Sequence, residues 1–162
     1  MTIRIEASQL EVHDGAARVA FPPEADEPVS PHPTDCIHGR IAVHVGERPL
    51  DLRIGRHDGE QCLRQWIPKL RLAHDQLEAA STEYESAYSR SRGEGEWIVF
   101  PPRGTRALVR DGATGEQVAC DRIELQRAIA AFLDSLHELI TNGHPDGGAW
   151  WRDVSAKRSV DP

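Results

Sequence analysis

The hydrophobic pattern is clearest in the second half of the chain, between Gly95 and Ile140. Short β-rich runs separated by Gly and Pro residues come first, and apolar residues then recur at every third or fourth position. Asp121 and Glu124 have the spacing of a capping box, which marks a helix N-terminus. The apolar positions that follow are Leu125, Ala128, Ile129, Phe132, Leu133, Leu136 and Ile140. They form one stripe, so the pattern predicts a helix from Arg122 to Ile140 that packs on a sheet.

The first half of the chain alternates apolar and polar residues with a period of two. Ile3 and Ile5 begin this alternation, and Leu10 and Val12 continue or restart it. The clearest hairpin joins the run 37–45 to the run 50–54. Such alternation is typical of strands that bury one face and leave the other in solvent.

A second helical pattern begins after Leu63, where apolar residues again recur at every third or fourth position. Proline inside a helix costs about 3 kcal/mol, but it is favoured in the first turn. We therefore predict a long helix that begins near Pro68 and ends near Ser89. The order of elements predicts an α+β domain, with a mostly antiparallel sheet of about six to seven strands and two long helices packed on one face.

The predicted domain covers residues 1–142, and residues 143–162 are predicted to be an irregular C-terminal extension. Asn142-Gly143 is a typical helix stop, and the chain then becomes polar and rich in glycine. Trp150 and Trp151 lie in this extension. Their indole rings either dock on the home domain or contact a partner, because tryptophan is enriched among interface anchors.

Residues 22–34 contain five prolines, which cannot take part in a strand ladder. This segment, the acidic loop, is predicted to be exposed. It carries Glu24, Asp26 and Glu27, which would present negative charge to a partner.

The chain has 162 residues and a formal net charge of -7, so neither nucleic acid nor an anionic membrane is expected as its first partner. This charge would attract a basic protein partner over long range, and the alternative is that it only keeps a small protein soluble. No apolar run is long enough to span a bilayer, and the N-terminus has no secretory signal pattern. The three cysteines, Cys36, Cys62 and Cys120, are far apart and odd in number. They predict free thiols in a reducing cytoplasm.

Candidate chemistry is sparse in the sequence. Cys36-Ile37-His38 offers two metal ligands, but no second ligand pair follows at zinc-finger spacing. We therefore expect no metal, no cofactor and no catalytic residues. Cys120 precedes the predicted second helix, whose N-terminus would lower the pKa of its thiol. Cys120 also occupies a core-facing position in the alternating pattern of its strand, so a buried and inert thiol is the alternative.

The stretch from Trp66 to Leu136 combines a helix that begins with Trp, a Trp-Ile-Val-Phe strand, a hairpin and an Asp-capped amphipathic helix. This layout resembles small actinobacterial α+β proteins of unknown function, some of which are presumed to be immunity proteins of polymorphic toxin systems. The resemblance implies a non-enzymatic protein-binding module, such as an inhibitor that masks a basic toxin. It assigns no functional residue. The alternative is a small enzyme or small-ligand-binding domain whose polar residues converge only in the folded chain.

Overall fold

The computed structural model describes residues 2–14, 17–22, 36–52, 61–78, 98–99 and 105–156. The strands are β1 (Ile3–Asp14), β2 (Ala17–Ala20), β3 (Ile37–Val45), β4 (Arg48–Asp51), β5 (Gln61–Cys62), β6 (Ile98–Val99), β7 (Arg106–Arg110) and β8 (Gln117–Asp121). The helices are α1 (Leu63–Glu78), α2 (Arg122–Gly143) and α3 (Gly147–Ala156). None of the helices in these ranges is both long and apolar enough to cross a bilayer.

The strands form two antiparallel sheets. The main sheet has the order β2-β1-β3-β4, with β5 also paired to β3, and the small sheet has the order β6-β7-β8. The predicted α+β class and antiparallel pairing are confirmed, but the single sheet of six to seven strands is wrong. The two sheets meet where the carbonyl of Asp51, in the edge strand β4, accepts a hydrogen bond from the N–H of Gly112 in the β7–β8 turn. An ion pair between Arg48 and Glu116 also joins the two sheets.

One face of the main sheet is buried against helices. The buried positions of β3 alternate with half-buried or exposed ones, as predicted, and its side chains Ile37, Ile41, Val43 and Val45 point into the core. Helix α1 contacts β3, α2 contacts β1, and the two helices contact each other. The other side of the sheet carries the polar residues of the same strands.

The start of α2 is as predicted. Asp121 Oδ1 accepts hydrogen bonds from the backbone N–H groups of Ile123, at 2.9 Å, and Glu124, at 3.0 Å. These bonds satisfy two of the N–H groups that a helix N-terminus leaves without an internal partner. The buried residues of the helix are Leu125, Ala128, Ile129, Phe132, Leu136 and Ile140. They belong to the predicted stripe, and Leu133 is partly buried beside them.

Helix α1 begins earlier than predicted, and Pro68 lies inside it. Pro68 removes the hydrogen bond that its N–H would give to the carbonyl of Arg64, four residues earlier. Leu63, Trp66 and Ile67, which precede the proline, are fully buried. Their burial offsets the cost of the proline, so tertiary packing extends the helix by five residues at its start. The predicted continuation to Ser89 lies outside the described residues.

The C-terminal extension was predicted to be irregular, but its residues 147–156 form helix α3. A side chain at Gly147 would overlap the carbonyl oxygen of Ile140, so only glycine allows the chain to turn back this closely onto α2. Helix α3 contacts both α1 and α2. The glycine that resembles a loop residue in the sequence is therefore what allows α3 to dock.

Candidate thiol–imidazole site on the open face of the main sheet

The side of the main sheet that faces away from α1 and α2 is polar, and we call it the open face. Its residues, paired across neighbouring strands, are Arg4, Glu6, Ser8 and Glu11 on β1, His38, Arg40, Ala42 and His44 on β3, and Cys62 on β5. All of them are exposed or half-buried. This distribution explains the period of two in the sequence, since the alternate positions of the same strands fill the core.

A bulge in β1 determines which residues reach this face. The register shifts between Ser8 and Glu11, and Gln9 within the shift has a φ of 54°. The extra residue exchanges the two faces, so that even-numbered residues point outward before the bulge and odd-numbered ones after it. Leu10 and Val12 consequently enter the core, and Glu11 lies directly opposite His38. This bulge explains why the apolar pattern restarts at Leu10 in the sequence.

Three potential metal ligands converge on the open face, where β3 meets β5. Cys36 and His38 are two residues apart and therefore lie on the same side of the chain. Cys62 is the register partner of His38 on the adjacent strand. One ligand atom from each residue lies within 4.8 Å of the other two, and all three residues are half-buried. We call these residues the thiol–imidazole cluster.

Cys36 and Cys62 are joined by a disulfide bond, with their Cα atoms 5.9 Å apart. The expectation of free thiols is therefore wrong for this pair. The sequence also indicated only two potential metal ligands near Cys36, whereas Cys62 is a third. The two cysteines are 26 residues apart in the sequence, and β5 has only two residues. A strand that short gives no periodic signal, so no pattern in the sequence places Cys62 beside His38.

Cys120, the remaining cysteine, is free and buried. Burial raises the pKa of its thiol to about 11, and the negative charges of Asp121 and Glu124 contribute in the same direction. These effects outweigh the helix N-terminus, which would act the other way. Of the two interpretations of Cys120, the structure favours the buried and inert thiol, which the alternation of its strand also indicated.

A carboxylate on the open face links two strands. Glu6 Oε1 lies 2.7 Å from His44 Nε2 on β3, and Glu6 Oε2 lies 3.5 Å from Arg4 Nη2 on its own strand. Glu6 is about half exposed, so water and salt screen both interactions. Their effect is to hold the side chains in place on the surface, with little contribution to folding.

Trp150 and Trp151, for which docking on the home domain and contact with a partner were the two alternatives, lie in the core. Trp150 has no exposed surface and Trp151 is 7% exposed. The Arg64 guanidinium lies 5.8 Å from the centre of the Trp150 ring, and His137 stacks at 5.0 Å from Trp151. Of the two alternatives, the burial of both rings favours docking on the home domain over contact with a partner. Glu24, Asp26 and Glu27 of the acidic loop lie outside the described residues.

Comparisons of the chain with protein-family models, with curated proteins and with solved structures gave no match.

Proposed function

We propose that the chain is a non-enzymatic module that binds a basic protein partner through the open face of its main sheet. In its most concrete form, the module is an immunity-type inhibitor that masks a toxin in the cytoplasm of the producing cell. The observation that carries the proposal is the open face itself, where charged and half-buried polar side chains of three strands form one continuous surface.

The charges on this surface support a specific contact. Arg4 and Arg40 alternate with Glu6 and Glu11 across β1 and β3, so the surface presents both signs in a fixed arrangement. Complementary charges across an interface fix its register and exclude wrong partners more than they raise affinity. The net charge of -7 acts at longer range and attracts a basic partner before contact.

The polar side chains also rest on a rigid support. Each outward residue of β3 alternates with a buried one, and Ile37, Ile41 and Val43 are at most 1% exposed. Groups held by such a core lose little freedom when a partner binds, which lowers the entropic cost of association. Strands that are fixed in this way favour recognition by a preformed surface.

The partner to test is the protein encoded by each gene adjacent to the one for this chain. Co-expression followed by size-exclusion chromatography should yield a stable complex with one of them. Glu6→Lys and Arg40→Glu should weaken this complex at least about tenfold, because each reverses a charge on the proposed contact surface. Asp134→Lys and Arg127→Glu, on the exposed side of α2, are the matched controls and should leave affinity unchanged.

Two results would contradict the proposal. If neither neighbouring gene product forms a complex, the immunity form of the function is wrong. If the α2 variants abolish the complex and the open-face variants do not, the contact surface has been assigned to the wrong side of the molecule.

A small enzyme or small-ligand-binding domain is the second candidate, and one observation favours it. The thiol–imidazole cluster brings two cysteines and a histidine together, which a binding surface does not require.

A further inference from the structure

We propose that the thiol–imidazole cluster is a zinc site when its cysteines are reduced, and that oxidation of the two thiolates to the Cys36–Cys62 disulfide releases the metal. This inference is independent of the partner-binding function, since its three metal ligands, Cys36, His38 and Cys62, are not among the charged residues that carry that proposal.

The donor set fits zinc. Two thiolates and one imidazole are ligands that Zn²⁺ prefers, with bond lengths of about 2.3 Å to sulfur and about 2.0 Å to nitrogen. Tetrahedral bonding places two such sulfurs about 3.8 Å apart. The three ligand atoms already lie within 4.8 Å of one another. Once the disulfide is reduced, small side-chain rotations are sufficient to bring all three atoms around one ion.

Contacts other than the disulfide also hold the backbone around the ligands. Ile37, between Cys36 and His38, and Leu63, directly after Cys62, are both fully buried. The β3–β5 ladder also places His38 opposite Cys62. These contacts hold the three residues near one another in addition to the sulfur–sulfur bond, which favours a reduced site that is already arranged for binding.

The surroundings also suit a metal. Glu11 lies opposite His38 on the strand away from Cys62. A carboxylate at this place can accept the second ring N–H of a metal-bound histidine, which orients the ring and raises its basicity. A water molecule would supply the fourth ligand of a tetrahedral zinc ion held by these three residues.

The redox step balances with a small-molecule disulfide of the glutathione type as oxidant. One thiolate attacks this disulfide, and a glutathione thiolate leaves. The second thiolate then attacks the mixed disulfide, forms the Cys36–Cys62 bond and expels the second glutathione. The two electrons pass from the protein sulfurs to the oxidant, two protons convert the glutathione thiolates to thiols, and Zn²⁺ leaves because a disulfide sulfur is a poor ligand.

The test uses the full chain, reduced and stripped of metal, with zinc alone as the probe. Competition against a chromophoric chelator should show one Zn²⁺ per chain, and Co²⁺ in place of zinc should give a sulfur-to-cobalt charge-transfer band. Cys36→Ser, Cys62→Ser and His38→Gln should each weaken zinc binding more than about 100-fold, since even the loss of a supporting residue around a metal costs 10- to 100-fold. Glutathione disulfide should release the bound zinc and lower the number of free thiols per chain by two.

Two matched controls lie in the same chain. Cys120→Ser removes a buried thiol, and His44→Gln removes a histidine from the same strand and the same face, so both should bind zinc like the parent protein. His38→Gln retains both cysteines, and it therefore keeps the test decisive if a cysteine variant fails to fold. The proposal is overturned if the reduced, folded protein binds no stoichiometric zinc, or if binding survives His38→Gln or disappears in Cys120→Ser.

Discussion

Replacing Trp150 with alanine tests whether the C-terminal helix belongs to the core. The side chain is fully buried, and burying a large aromatic side chain takes about 150–250 Å² of its surface out of contact with water. At about 25 cal/mol per Å² this burial contributes roughly 4–6 kcal/mol. Measured truncations of large aromatic residues cost about 3–5 kcal/mol. We therefore expect Trp150→Ala to lower the free energy of unfolding by about 4 kcal/mol.

Urea denaturation followed by far-ultraviolet circular dichroism measures this loss without relying on tryptophan fluorescence. A loss of about 4 kcal/mol corresponds to a fall in melting temperature of roughly 8–16 °C for a chain of this size. Trp150→Phe retains an aromatic ring and should cost less than the alanine variant. Arg152→Ala changes an exposed residue of the same helix and should stay within about 0.5 kcal/mol of the parent. A loss below about 1 kcal/mol for Trp150→Ala would refute the docking of α3 and restore the indole as a candidate partner contact.

Three further predictions follow from the cysteines and the acidic loop. Reducing the Cys36–Cys62 bond, which spans 26 residues, should lower the free energy of unfolding by about 3.5 kcal/mol in urea titrations without metal, and an unchanged midpoint would contradict this. The pKa of Cys120 is about 11, so only about one Cys120 thiol in a thousand is ionised at pH 8. A thiol reagent at this pH should therefore modify two thiols of the reduced native chain. Cys120 should react only after unfolding, or as the pH rises toward 11. Rapid modification of all three thiols in the native chain at pH 8 would contradict this prediction. Neutralising the three carboxylates of the acidic loop should leave the melting temperature nearly unchanged and slow partner association several-fold at low salt, but much less at high salt. Surface plasmon resonance that shows the same association rate at low salt would mean that the loop does not steer the partner.

The parts of the fold that repeat a pattern were predictable from the sequence. Helix α2 has both a capping signal and a long apolar stripe, and β3 alternates over nine residues. In each case many positions indicate the same element, so one exceptional residue does not change the prediction.

Other parts depend on contacts between distant segments. Pro68 indicates a helix start by its own preference, and only the burial of Leu63 and Trp66 makes the helix begin earlier. Gly147 resembles a loop residue until its contact with the Ile140 carbonyl is known. Local preference decides such positions only when tertiary packing does not oppose it.

The candidate site could be predicted only in part. Cys36 and His38 share a strand face by spacing alone, which follows from the period of two. Cys62 joins them through the pairing of a two-residue strand that no periodicity marks. The site therefore rests on a long-range strand pairing, and a single sequence gives no information on which distant strands pair.

Nuclear magnetic resonance of the reduced, isotope-labelled protein tests the central claim of a zinc site on the open face most directly. Adding one equivalent of Zn²⁺ should shift the amide signals of Cys36, His38 and Cys62 and of the facing Glu11, while the signals of α2 around Phe132 stay in place. In the oxidised protein, the same addition of Zn²⁺ should shift none of these signals. If zinc instead shifts signals around Cys120, or shifts none of the cluster residues, the open face is not the metal site.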